Sequence, residues 1–225
     1  MAGGHQEADR LTLVVGADGT RAGWVAIATE NGRFKEARLF RSFSALVGEF
    51  PAALAIGVDI PIGLPGPGRR RQADEEARRF VGRRASSVFP TPSRELLEGE
   101  FRAGLGISKQ SHSLGVRILE VEEVAVADHR VVEVLPEVSF RAMAGEHLRY
   151  SKRTWNGLIE RRRLLAEQGL VVPEADLGEG GRAAPDDVLD AAAAAWSAHR
   201  KAVGEARSLP ETPEMINGRS VAIWY

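Results

Sequence analysis

Residues 11–20, LTLVVGADGT, decide the fold. Residues 11–17 are a short, unbroken apolar run rich in β-branched side chains, the composition of a strand buried on both faces. The run stops at Asp18-Gly19, a turn signal. Residues 24–29 read as the next strand, Asn31-Gly32 as a tight hairpin turn and residues 34–40 as a third strand. The chain therefore opens as an antiparallel meander. Residues 55–60, AIGVDI, supply a second buried apolar strand, broken by Pro61, and it too ends in an acid, Asp59.

Outward from these strands the pattern becomes helical. Ser42 or Ser44 caps a short helix reaching Phe50, and residues 73–81 form an amphipathic helix rich in arginine. Ser93 caps a helix reaching Phe101, and Ser108 caps another in which Leu114, Ile118, Val121 and Val124 recur at helical spacing. Residues 131–135 return to strand character. Ser151 caps a helix with an apolar stripe of Trp155, Leu158, Ile159 and Leu165. Residues 178–184 read as the most flexible loop. Pro185 opens a helix running to about Ala206, and residues 220–224 close the chain as a strand. This order predicts an α/β fold: a mixed sheet of antiparallel meander plus parallel strands, flanked by helices, with a helical insertion at about 61–130. Residues 1–10 are expected to be a disordered tail and 11–225 one domain.

The 225 residues are 44% hydrophobic and 27% charged, ordinary globular values. There is no cysteine, which excludes disulfides and thiolate metal sites. His5, His112, His129, His147 and His199 show no close ligand spacing. A metal would need carboxylate oxygen, which favours Mg²⁺ or Mn²⁺. With a net charge of −1, nucleic-acid binding would require a local basic patch. The first ten residues carry no signal-peptide pattern and no run reaches membrane-spanning length, so the expectation is a cytoplasmic protein without a membrane partner.

Asp18 and Asp59 end the two most buried strands, where open α/β sheets place their ligand sites. Singly, each reads as an ordinary turn residue; together they point to a site. Asp186, Asp187 and Asp190 open the helix after Pro185. The first two also suit a helix first turn for its dipole, whereas Asp190 lies a turn deeper and gains less from it. Asp187 and Asp190, spaced i,i+3, share a face on which like charges repel until a cation intervenes. Glu137 follows Pro136 at the end of the 131–135 strand, either as a site residue or as a helix first-turn acid.

Several segments occur in order: GADGTRAGW, GVDIPIGLP with RRRQADEEAR, SSVFPTPSR, residues 110–122, EVLPEVSF, SKRTWNGL and DDVLDA. That series resembles the DUF429 family of predicted nucleases, assigned to the ribonuclease H-like superfamily, from about residue 11 to the C-terminus. The resemblance implies acids on the first strand, the fourth strand and the last helix, where Asp18, Asp59 and the Asp187/Asp190 pair fall. A histidine is usual in the family at the position of Leu135, a departure from its pattern.

The function implied is a divalent-metal-dependent nuclease, with Asp18, Asp59, Asp187 and Asp190 as catalytic metal ligands, Glu137 as a further ligand, and one or two Mg²⁺ or Mn²⁺ ions. Asp18 would bridge ions about 4 Å apart. Phosphate-facing cations are expected from residues 69–84, which hold seven arginines, and from residues 152–163. The candidates are Arg71, Arg78, Lys152 and Arg161, set against the plainer reading of solvated helix faces. Two other functions compete: an ATP-dependent phosphotransferase of the actin-like or sugar-kinase type, since Asp18-Gly19-Thr20 looks like a shortened phosphate-binding turn, and a non-catalytic metal- or nucleic-acid-binding module.

Overall fold

A computed structural model describes residues 11–101 and 112–225. The expected N-terminal tail and the Ser108 cap lie outside the described residues. Strands β1 (Leu13–Thr20), β2 (Gly23–Glu30), β3 (Arg33–Phe40), β4 (Ala55–Val58) and β5 (Val131–Glu133) form one sheet in the order β3-β2-β1-β4-β5. β1 runs antiparallel to β2 and β2 to β3, whereas β1, β4 and β5 are parallel. This is the mixed α/β sheet that the sequence order predicts. Asn31 and Gly32, at φ 49° and 74°, make the hairpin turn between β2 and β3.

Asp18-Gly19 is not a turn. β1 continues through it to Thr20, Asp18 pairs with Val25, and the chain reverses at Arg21-Ala22. The Asp18 side chain therefore has a fixed place in the pleat.

Helix α1 (Phe43–Glu49) is capped by the Ser42 hydroxyl, which accepts from the Ala45 N–H. Between β4 and β5 the described chain carries α2 (Gln72–Val81), α3 (Arg94–Glu98) and α4 (Gly115–Ala127). Helices α5 (Pro136–Ala144) and α6 (Trp155–Glu167) precede α7 (Pro185–Ala202). Helix α6 starts at a Thr154 cap, and its buried face is Gly157, Arg161, Leu164 and Leu165. Of the expected stripe Leu165 is buried and Leu158 packs against the core, whereas Trp155 is 73% exposed, Ile159 is exposed, and Thr154 rather than Ser151 is the cap. Residues 178–182 form a 3₁₀ turn whose Gly180 packs against Ala37 of β3, so the expected loose loop is docked. The chain ends in a separate antiparallel hairpin, β6 (Ser208–Ile216) with β7 (Arg219–Trp224), lying against α2. Among the described residues no helix is long and apolar enough to cross a membrane.

Strand alternation divides the sheet into two lanes. Val15, Ala17, Ile56 and Val58 pack toward α1 and α4. Val14 and Gly16 of β1, with Ala55 and Gly57 of β4, face α7. A methyl group at Gly16 would lie 2.0 Å from the Ala195 nitrogen, and one at Gly57 would lie 2.6 Å from the Ala194 oxygen. The two glycines and the alanine run of α7 thus bring helix backbone onto strand backbone.

Candidate metal centre

The lane beneath α7 ends in acids. Two residues beyond Gly16 and Gly57, on the same face, stand Asp18 and Asp59. Asp59 lies just past the last paired residue of β4, and its N–H donates to the Ala17 carbonyl at 3.1 Å, which fixes it beside Asp18. Close packing of α7 presents Asp190, one residue before the contact at Ala191. One carboxylate oxygen from each of Asp18, Asp59 and Asp190 lies within 4.8 Å of the others. Trans oxygens on one ion are about 4.2 Å apart for Mg²⁺ and about 4.6–5.2 Å for Ca²⁺, so the three acids need at most a small inward shift to share a cation.

The electrostatics show how little this cluster is neutralised. Burial, then the charges of Asp59, Asp190 and Asp187, holds the Asp18 carboxyl well above the usual range. Burial, with Asp190 next in size, pushes Asp59 up to about 8. Burial also raises Asp190, but Lys152 opposes it and the value stops at about 6. The Lys152 ammonium contacts Asp190 and is itself held protonated by Asp190, Asp59 and Asp18. Asp18 additionally accepts from the Gly19 N–H at 2.7 Å. Among the described residues the oxygen donors exceed the nearby cations, so the cluster could hold a metal ion.

Asp187 is half-buried, and its charge bears on Asp18 from the edge of the cluster. It is raised by burial and by Asp186, and lowered by Lys152 and Arg117. Glu137, expected as a ligand, is outside the cluster: its Oε1 accepts from Arg161 at 2.8 Å, and Arg84 stands 3.7 Å from its Oε2.

The expected phosphate-facing cations divide. Lys152 is at the site. Arg161 is 1% exposed, bound to Glu137 and to the Tyr150 and Gly157 carbonyls. Arg71 is equally buried, in five hydrogen bonds to Asp74, Glu133 and the Ile62 carbonyl. Both guanidinium groups are turned inward onto carboxylates, Arg161 with its Nε left without a partner among the described residues and Arg71 at the wall of the cavity that Asp18 and Asp59 also line. Arg78 is exposed, but its Nη1 donates to the Ala85 and Val88 carbonyls. Sequence reasoning missed Arg117 of α4. With Asp18, Asp59 and Lys152 it lines a cavity of about 200 Å³, donates to the Thr20 carbonyl and sits 5.9 Å from the Trp24 ring centre. It has no carboxylate partner within ion-pair distance among the described residues. It lies in the 110–122 segment that carries part of the family resemblance, but no charge pattern there singles it out, because α4 reaches the site only through the fold.

A mixed sheet that gathers carboxylates from two parallel central strands and a covering helix defines an α/β protein with a carboxylate centre suited to a hard cation. The chain belongs to the DUF429 family, whose model, described as a protein of unknown function, matches residues 16–215 and so spans all of these acids. Comparison with curated proteins and with solved structures finds no match.

Proposed function

We propose that this protein hydrolyses phosphodiester bonds of a nucleic acid at a divalent-metal site formed by Asp18, Asp59 and Asp190, with Asp187 at its edge. The observation that carries the reading is the convergence of three carboxylates, from three separate elements, with fewer cations than carboxylates beside them among the described residues. A structural cluster would be closed by partners; this one leaves negative charge unmet beside an open cavity. The resemblance to the ribonuclease H-like superfamily supports it, since its first-strand, fourth-strand and last-helix acids correspond to Asp18, Asp59 and Asp190.

Mg²⁺ or Mn²⁺ bound there would activate water and offset charge developing on the phosphate. The three aspartates would hold the ion through hard oxygens, and the close contact of α7 with β1 and β4 fixes their separation. Arg117 and Lys152, on the cavity wall, orient the phosphate through its free oxygens. The separate lobe that a phosphotransferase of the actin-like type requires has no counterpart among the described residues, and Asp18-Gly19-Thr20 is strand, not a phosphate-binding turn.

The test is cleavage of single strands, duplexes, RNA–DNA hybrids and four-way junctions with Mn²⁺ or Mg²⁺, with and without EDTA. Wild type is expected to cleave at least one substrate, and folded Asp59→Asn none. Equal activity in the two proteins would remove the site from the chemistry. Tight ATP binding without cleavage would replace the reading with the phosphotransferase. Absence of both, with metal bound, would leave a binding module.

A further inference from the structure

We propose that Lys152 is a resident counter-ion of the carboxylate centre: its ammonium holds part of the divalent cation's place, and a bound cation displaces it toward the substrate phosphate. The inference rests on the metal reading above and deepens it.

The first observation is position. Nζ of Lys152 contacts Asp190, the most buried of the three acids, and its charge also acts on Asp18, Asp59 and Asp187. An ammonium and a divalent ion cannot share the same carboxylate oxygen at full strength. One ammonium against three carboxylates leaves the centre short of positive charge, so the lysine is a partial substitute for the ion.

The second observation is freedom to leave. The backbone around Lys152 is pinned. Arg84 donates to the Tyr150 carbonyl, the Thr154 hydroxyl to the Ser151 carbonyl at 2.8 Å, and the Arg149 and Tyr150 N–H groups to Glu160. The side chain is not pinned. It is 33% exposed, makes one ion pair and sits on a flexible four-carbon stem. Leaving the site needs only rotation about side-chain bonds.

The neighbouring pair shows what a permanent structural contact looks like here. Arg161 is fully buried and tied to Glu137 and two backbone carbonyls. Lysine at the centre and arginine beside it match a displaceable point charge and a fixed fork respectively.

The third observation is destination. Lys152 lines the cavity that Asp18, Asp59 and Arg117 also line. An ammonium rotated off Asp190 remains at that wall, where a phosphodiester would present its negative oxygens.

The experiment strips the full chain with EDTA and titrates it with Mn²⁺ by calorimetry, comparing wild type, Lys152→Gln, Lys152→Arg and Arg153→Gln. Arg153 is exposed and has no ion pair among the described residues, so its loss removes one nearby charge without vacating the site. Lys152→Gln is expected to bind Mn²⁺ at least about tenfold tighter, the scale of one partly buried charge removed at contact. Arg153→Gln and Lys152→Arg should stay within about threefold of wild type. At saturating Mn²⁺, Lys152→Gln should bind a single-stranded DNA oligonucleotide several-fold more weakly. Unchanged or weaker Mn²⁺ binding by Lys152→Gln overturns the counter-ion role while the metal reading stands. Equal oligonucleotide binding overturns the phosphate destination. No Mn²⁺ uptake by any of the four proteins defeats the metal reading itself.

Discussion

Two groups of charge meet at one cavity: Asp74 and Glu133 close on Arg71, whereas among the described residues Asp18, Asp59 and Asp190 share the lysine Lys152. In the first group both carboxylates are closed by hydrogen bonds around one guanidinium, although burial still raises Glu133. Arg71 places five hydrogen bonds, Asp74 also accepts from the Thr91 N–H at 2.8 Å, and Glu133 accepts from the Ile62 N–H at 2.8 Å. In the second, acids are set against acids. Both are buried clusters of charge, so burial alone separates nothing. The distinguishing quantity is compensation: the closed network braces the segment between β4 and α2, and the open one retains the capacity to take up a cation.

The largest expected effect lies in the closed network. Arg71→Met leaves two buried carboxylates and a backbone carbonyl without their partner. The expected loss is about 3–5 kcal/mol of unfolding free energy, read from the urea midpoint. A loss under about 1 kcal/mol would mean that the acids already reach water, and the contrast between the two groups would disappear.

The open cluster is expected to respond in the opposite direction. Asp59 has a folded pKa of about 8 and Asp190 of about 6, both above the ordinary carboxylate value. Between about pH 4 and 8 the folded protein therefore keeps protons that the unfolded chain releases, and stability falls as pH rises. In EDTA, the melting temperature should drop by about 5–15 °C from pH 5 to pH 9, a loss of up to about 5 kcal/mol for a chain of this length. Asp59→Asn should flatten the upper half of that fall and raise the melting temperature at pH 8, because it removes one of the crowded charges. Saturating Mg²⁺ should flatten it in wild type. A wild-type stability that rises through this range would show that the acids are already paired.

The sequence made one of these groups legible and hid the other. Asp18 and Asp59 stand out because each follows an apolar run, and Asp190 because it sits too deep in its helix to serve the dipole. A sharper signal was present: Gly-x-Asp ends both strands, and period-2 alternation puts each glycine under α7 and each acid at the end of the same lane. The role of Arg71 was not legible. Among seven arginines in residues 69–84, composition cannot say which one turns inward. That depends on Glu133, sixty-two positions away and joined to it only by the fold. The same limit applies to Arg161 and Glu137. Strand β6 was missed because Pro210, Glu211, Pro213 and Glu214 break its apolar alternation. Helix α6 was misphased because a large aromatic, Trp155, was given to the core, whereas Arg161 buries its stem and charge there.

The smallest effect on stability concerns the cations, and it extends the same contrast. Arg71 has two carboxylates; Arg117, on the wall of the same cavity, has none within ion-pair distance among the described residues. It is held by the Thr20 carbonyl and lies near the face of Trp24. Removing it leaves no buried charge unanswered, so Arg117→Ala should cost only about 1 kcal/mol or less in urea unfolding. If the guanidinium is kept free for phosphate, the effect appears in binding. Affinity for a single-stranded DNA oligonucleotide at saturating Mn²⁺ should fall several-fold. The slope of log affinity against log salt should shrink by about 0.7, the share of one phosphate contact on a single strand. Mn²⁺ affinity should not weaken, since Arg117 repels the ion rather than holding it. A large stability loss with an unchanged salt slope would make Arg117 a second Arg71, a structural cation, and would leave Lys152, among the described residues, as the basic group that meets the substrate at this centre.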